Sequence, residues 1–107
     1  FDRAIDHYDA FIKQAPADSP LVALAWNGLG CAYEAKGNLP QARKSFERAL
    51  SSKAGDGFSG MTHQNLARVF EARNDPRQAL THYRKALEKV DDPALARLLK
   101  RKIALLN

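Results

Sequence analysis

The chain is poor in cysteine and contains no long apolar run. Cys31 is its single cysteine, which excludes an internal disulfide and leaves neither a disulfide framework nor a CxxC pair. A membrane-spanning helix needs about 20 consecutive apolar residues, and no stretch approaches that length. With 107 residues, 45% of them hydrophobic and 27% charged, the composition is that of an ordinary globular chain. This length predicts one domain or a short repeat array with a modest core.

Catalytic and metal-ligating patterns are also missing. The three histidines, His7, His63 and His82, share no metal-ligand spacing, so we interpret them as surface or boundary residues. Cys31 has no histidine near it in sequence, which favours a packing role over a nucleophile. The sequence therefore predicts no enzyme, no metal site and no cofactor.

A G-x-G-x-x-G string does occur, at Gly55, Gly57 and Gly60. A dinucleotide site needs this string after a strand and before a helix, whereas here it stands between two helical patterns. We therefore interpret residues 51–60 as a flexible linker that follows the end of a helix.

Basic residues outnumber acidic ones, and they do so unevenly. The net charge is +5, with two basic and five acidic residues in 1–35 but fifteen and seven in 36–107. Such a gradient suggests an acidic partner or surface. The cations are scattered over many helical turns and no aromatic-basic platform stands out, so nucleic acid is not predicted as a partner.

The most informative stretch runs from residue 26 to residue 50. Trp26, Leu29 and Tyr33 share one face of a helix, and Gly30 is small where a second helix approaches. Gly37 and Asn38 end this helix and cap the next, and Pro40 falls in the first turn of that next helix. The second helix carries Ala42, Phe46 and Ala49. These residues reproduce W-x2-L-G-x2-Y and A-x3-F-x2-A, and the chain thereby resembles the tetratricopeptide repeat (TPR) family.

A second repeat follows with a weaker signature. Its residues are His63, Leu66, Ala67 and Phe70, then Ala79, Tyr83 and Ala86. Asp75, Pro76 and Gln78 mark the start of its second helix. It departs from the family at His63, which replaces tryptophan, and Ala54 and Asp91 stand where the two repeats would each close with proline.

Partial elements flank the two repeats. Residues 1–15 resemble the second helix of a repeat whose first helix is absent, which leaves an apolar arc to be covered by upstream residues or by a second copy. The candidates for self-association are Ile5, Tyr8, Phe11 and Ile12. Asp92 and Pro93 start a last helix that reaches about Leu106 and resembles a capping helix. Lys102 lies within the apolar stripe of this helix, where it either contacts a carboxylate or extends to water.

The resemblance implies an all-α fold of about six helices, arranged as a right-handed superhelical solenoid of helical hairpins with a C-terminal capping helix. We expect a single domain with segments 1–16, 19–54, 58–91 and 93–107. Ser19 and Pro20 open an unusually long first helix that follows Asp18. In this it is similar to the TPR modules of bacterial envelope proteins. The sequence leaves the compartment open: the bacterial cytoplasm, the periplasm and the soluble part of a membrane-anchored protein are the alternatives.

The resemblance also implies a function, namely a non-catalytic scaffold that holds a peptide or a partner protein in a concave groove lined by the first helix of each repeat. Carried onto this chain, the groove comprises Leu24, Asn27, Cys31 and Glu34, then Met61, Gln64, Arg68 and Glu71. Of the five positions of the carboxylate clamp of chaperone-binding TPRs, only the one at Asn65 has a matching residue, so that clamp is not expected. Arg68 and Glu71 either bind a partner or pair with each other. The alternative function is homo-oligomerisation within a larger assembly.

Overall fold

The fold is all-α over the residues that the structure, a computed structural model, describes, namely 1–52 and 56–107. No strand occurs within these ranges, which confirms the predicted class. The helices are α1 (Asp2–Gln14), α2 (Pro20–Lys36), α3 (Leu39–Ser51), α4 (Ser59–Ala72), α5 (Pro76–Lys89) and α6 (Pro93–Leu106). A single 3-10 turn, Asp56–Phe58, precedes α4. The linker residues Ala54 and Gly55 lie outside the described ranges.

Local capping chemistry fixes the helix starts, as the sequence predicts. The Ser19 hydroxyl accepts from the Leu21 N–H at 3.2 Å, directly ahead of Pro20. Side-chain oxygens of Asn38, Asp75 and Asp92 cap α3, α5 and α6 in the same way. Each cap satisfies a backbone N–H that would otherwise lack a partner in the first turn.

A residue in the left-handed backbone conformation follows the first helix of each repeat. Gly37 closes α2 with φ of 87°, and the Asn38 N–H then donates to the Tyr33 carbonyl at 2.8 Å. Asn74, with φ of 60°, occupies the turn between α4 and α5. Glycine and asparagine adopt this conformation at the lowest steric cost. Both turns are therefore as short as a helical hairpin requires.

The chain divides into two compact units, Phe1–Phe58 and Ser59–Asn107, and the division falls one residue inside the predicted second segment, 58–91. In the first unit α2 pairs with α3 and also packs against α1. In the second unit α4 pairs with α5, and α6 packs against α5. Each unit is thus a helical hairpin with one additional helix.

The first hairpin closes around the ring of Phe46. Phe46 and Ala42 are fully buried at 0% exposure, and Leu29 is buried beside them. A Cβ atom added to Gly30 would overlap the Phe46 ring. The requirement for a small residue at position 30 is confirmed, but its cause is this ring rather than a neighbouring helix backbone.

The helix α1 covers the other side of α2. Ile5 is buried, and the Tyr8 ring packs on Gly28 so closely that a Cβ there would overlap it. Ile12 is half-buried, whereas Phe11 remains 40% exposed. The predicted apolar arc is therefore partly covered by α2 within the chain itself.

The second hairpin has an equivalent core, which α6 extends. Leu66 and Ala79 are fully buried, and Tyr83 occupies the place that Phe46 has in the first hairpin. The helix α6 adds Leu99, which is buried. Leu98, the neighbouring residue on α6, remains 46% exposed.

Candidate partner-binding site

The predicted groove residues of α2 lie mostly at its surface. Leu24 and Cys31 are exposed and Glu34 is half-buried. The exposure of Cys31 contradicts the packing role that we assigned to it. Asn27 also departs from the expectation, because it is 3% exposed and its amide donates to the Ala23 carbonyl at 3.4 Å. A side chain in this position adds little to an accessible surface.

On α4 the predicted groove residues are more accessible. Met61 and Arg68 are exposed, while Gln64 and Glu71 are half-buried. The Arg68 guanidinium donates to the Asn65 side-chain oxygen at 3.1 Å, and this bond holds the Arg68 side chain along the helix. Gln64 and Arg68 are four residues apart and therefore share one face.

A small pocket of about 140 Å³ opens beside this face, within the second unit. The helices α4, α5 and α6 all contribute to its walls. Its lining residues are Gln64, Arg68, Tyr83, Leu98, Leu99 and Lys102. Two cations and an amide therefore border an apolar floor, an arrangement that suits an acidic group attached to an apolar one.

Glu71 ties the three helices together next to this pocket. Its carboxylate accepts from the Tyr83 hydroxyl at 2.7 Å and from the Lys102 ammonium at 3.2 Å. The hydrogen bond from Tyr83 is the main reason that the pKa of Glu71 is lowered, and Lys102 adds to the effect. Of the two interpretations of Lys102, contact with a carboxylate is therefore confirmed.

The lowered pKa of Glu71 makes stability depend on pH. A carboxyl group with a depressed folded-state pKa stabilises fully above its unfolded value, here 4.5, and this contribution is lost as the pH falls. Between pH 6 and pH 3 we expect the free energy of unfolding to fall by up to about 1 kcal/mol more in wild type than in Glu71→Gln. The difference stays this small because Glu71 and Lys102 are partly exposed to solvent. Tyr83→Phe should reproduce most of this difference. Urea midpoints measured at both pH values would contradict the assignment if wild type and Glu71→Gln lost the same stability.

The excess positive charge belongs to the second unit. Residues 1–58 contain seven basic and seven acidic groups, whereas residues 59–107 contain ten and five. The net charge of +5 is therefore that of the unit with the pocket. The electrostatic field of this unit therefore favours the approach of negatively charged groups.

The sequence did not reveal that His63 and His82 meet. Their Nδ1 atoms are 2.9 Å apart across α4 and α5, although 19 residues separate them in the chain. The spacing of the repeats could have predicted this contact. His63 stands 37 residues after Trp26, and His82 stands 37 residues after Ser45. When α4 and α5 pair as α2 and α3 do, both histidines lie at the interface between the two helices.

Comparison with known proteins identifies the class. Family models described as tetratricopeptide repeat match residues 1–57 and residues 62–105. The chain therefore belongs to the TPR family. This family consists of non-enzymatic scaffolds whose repeats generally mediate protein–protein interaction. The comparison with curated proteins gives no match. Among the described residues, no helix is both long and apolar enough to cross a membrane.

Proposed function

We propose that this chain is a non-catalytic scaffold that binds an acidic segment of a partner protein on α4 and in the pocket beside α6. The observation that carries the proposal is the pairing of Arg68 and Lys102 with the exposed Leu98 around one small cavity. A carboxylate would bond the cations while a neighbouring apolar side chain contacts Leu98.

Charge reversal at Arg68 tests this proposal. The probes are ten-residue peptides with alternating leucine and glutamate, compared with peptides in which glutamine replaces glutamate. We expect Arg68→Glu to weaken binding of the acidic peptides at least about tenfold, which corresponds to about 1.4 kcal/mol. The melting temperature should stay nearly unchanged, because Arg68 is exposed.

The matched control is Arg84→Glu, which changes the net charge equally at an exposed position of α5 outside the pocket. Its effect on binding should be no more than about twofold at physiological salt, where distant surface charges are screened. Equal weakening by both variants would show a non-specific charge effect. Equal binding of the acidic and the glutamine peptides would also contradict the proposal.

Homo-oligomerisation remains the second candidate, and the exposed aromatic side chain of Phe11 on α1 favours it. Burial of such a side chain contributes about 1.5–3 kcal/mol, so a second copy would gain by covering it. We expect Phe11→Lys to lower the average mass in sedimentation equilibrium at high protein concentration. Ile5→Lys is a poorer probe, because Ile5 is already buried against α2. A wild-type chain that is monomeric at every concentration would exclude this function.

A further inference from the structure

The two hairpins differ in what lies between the aromatic positions of their first helices. In the second hairpin His63 and Phe70 are seven residues apart on α4, and the imidazole of His82 on α5 contacts both. The Nδ1 atoms of His63 and His82 are 2.9 Å apart, and the ring of Phe70 lies nearly parallel to that of His82 at a centroid distance of 5.5 Å. One ring of the second helix therefore lies between two rings of the first.

The geometry of an α-helix explains why a single ring fits there. Residues seven apart in sequence are separated by about 10.5 Å along the helix axis. The centroid of the His82 ring is 5.1 Å from that of His63 and 5.5 Å from that of Phe70, close to half of this separation in each case. Aromatic rings contact each other favourably at centroid distances of about 4.5–7 Å. Two helical turns thus provide room for one ring.

The first hairpin has the same two aromatic positions without a ring between them. Trp26 and Tyr33 are also seven residues apart, on α2, and both are half-buried. The residue of α3 that corresponds to His82 is Ser45, which is buried and whose hydroxyl donates to the Gln41 carbonyl of its own helix. A serine side chain has no ring to place between Trp26 and Tyr33.

A cavity of about 450 Å³ lies at this place in the first unit, and Trp26, Tyr33 and Ser45 all line it. A cavity of about 150 Å³ is enough to hold a benzene molecule, so this one admits an aromatic ring together with the backbone that carries it. The charged residues of its lining are of both signs, namely Asp9, Lys44, Glu47 and Arg48. Because these charges balance, the cavity suits a neutral side chain better than a charged one.

The indole of Trp26 already contacts one planar group of this chain. The central carbon of the Arg48 guanidinium lies 5.2 Å from the centroid of the Trp26 ring. A guanidinium is flat and stacks on aromatic faces much as a ring does. Arg48 is exposed, so its guanidinium can turn to water when a ring enters.

We propose that the slot formed by Trp26, Tyr33 and Ser45 binds an aromatic side chain of a partner protein, phenylalanine or tyrosine, in the place that His82 takes in the second hairpin. Aromatic side chains are enriched among the residues that anchor protein interfaces. The repeats of this family generally mediate protein–protein interaction, which favours the side chain of a protein over a free small molecule. The slot is a site of the first unit and does not depend on the acidic-segment site beside α6.

The probe for this slot is N-acetyl-L-phenylalanine amide, titrated into the full ¹⁵N-labelled chain. It should shift the indole N–H signal of Trp26, the single tryptophan of the chain. The dissociation constant should be on the order of 1 mM, the range expected for a ligand of this size. The matched ligand, N-acetyl-L-leucine amide, should bind at least about threefold more weakly, because it lacks the ring contacts.

Ser45→His tests the slot by filling it from within the chain, since the second hairpin already carries histidine at the equivalent position. It should raise the dissociation constant of the phenylalanine amide at least about tenfold. The matched control is Ser51→His, which makes the same replacement at an exposed position of α3 outside this cavity. This control should leave the constant unchanged.

A measurement on wild type decides the question if Ser45→His folds poorly. Nuclear Overhauser effects should connect the phenyl protons of the ligand with the rings of both Trp26 and Tyr33. Effects that miss Tyr33, equal binding of the two amides, or undiminished binding by a well-folded Ser45→His chain would overturn the proposal.

A second copy of the chain is the competing occupant, because Phe11 on α1 is itself exposed. Such an occupant would shift the Trp26 indole signal as the protein concentration rises, without any added ligand, and Phe11→Lys would remove the shift. That result would overturn the assignment to a partner protein. A Trp26 signal that is independent of protein concentration, together with the expected ligand binding, supports the assignment.

Discussion

Phe46→Ala should lower the free energy of unfolding of the first unit by about 3–5 kcal/mol, the usual cost of removing a fully buried aromatic ring. Phe46 is 0% exposed, and its ring lies against Gly30, which has no side chain to move into the vacated space. The cavity would therefore persist. Urea unfolding followed by the fluorescence of Trp26, the single tryptophan of the chain, reports on this unit.

Phe11→Ala provides the control for Phe46→Ala. It removes the same atoms from a side chain that is 40% exposed, so its cost should be less than half as large. Equal destabilisation by the two variants would contradict the placement of Phe46 at the centre of the hairpin.

Gly30→Leu should destabilise the same unit by about 1–3 kcal/mol, because overpacking forces the Phe46 ring out of its position. Replacing a mid-helix glycine normally gains about 1 kcal/mol of helix propensity, so a net loss requires that the steric cost exceed this gain. The matched control is Gly57→Leu, since nothing lies within 4 Å of a Cβ built at Gly57. Thermal melts in which Gly30→Leu is no worse than Gly57→Leu would refute the contact.

A double-mutant cycle separates this contact from general helix effects. In the Gly30→Ala chain, Phe46→Leu should cost less than it does in wild type, because the smaller side chain relieves the overlap. Contacting residues show coupling of about 0.5–3 kcal/mol. Strict additivity would mean that positions 30 and 46 do not touch.

Helix boundaries were predictable because their causes are local. Ser19 with Pro20 and Asp75 with Pro76 each start a helix within a few residues, and Gly37 needs only its own positive φ to end one. The pairing of α2 with α3 was predictable for a related reason. The spacing of Trp26, Leu29, Gly30 and Tyr33 defines which face the partner helix meets.

Contacts between distant side chains were not predictable in the same way. The pairing of Lys102 with Glu71 and the packing of Tyr8 on Gly28 each depend on the rotation and register of two packed helices. The burial of Asn27 was not predictable for the same reason. A small rotation of α2 decides whether a side chain faces the groove or the interior. The narrower resemblance to envelope proteins stays a prediction.

The central claim, that α4 and the pocket beside α6 bind an acidic partner segment, is tested most directly by nuclear magnetic resonance of the ¹⁵N-labelled chain. Titration with an acidic leucine-containing peptide should shift the amide signals around Gln64, Arg68 and Lys102 first. In Arg68→Glu the same shifts should require at least about tenfold more peptide. Shifts confined to the exposed face of α5 around Arg84, or shifts that persist unchanged in Arg68→Glu, would contradict the account.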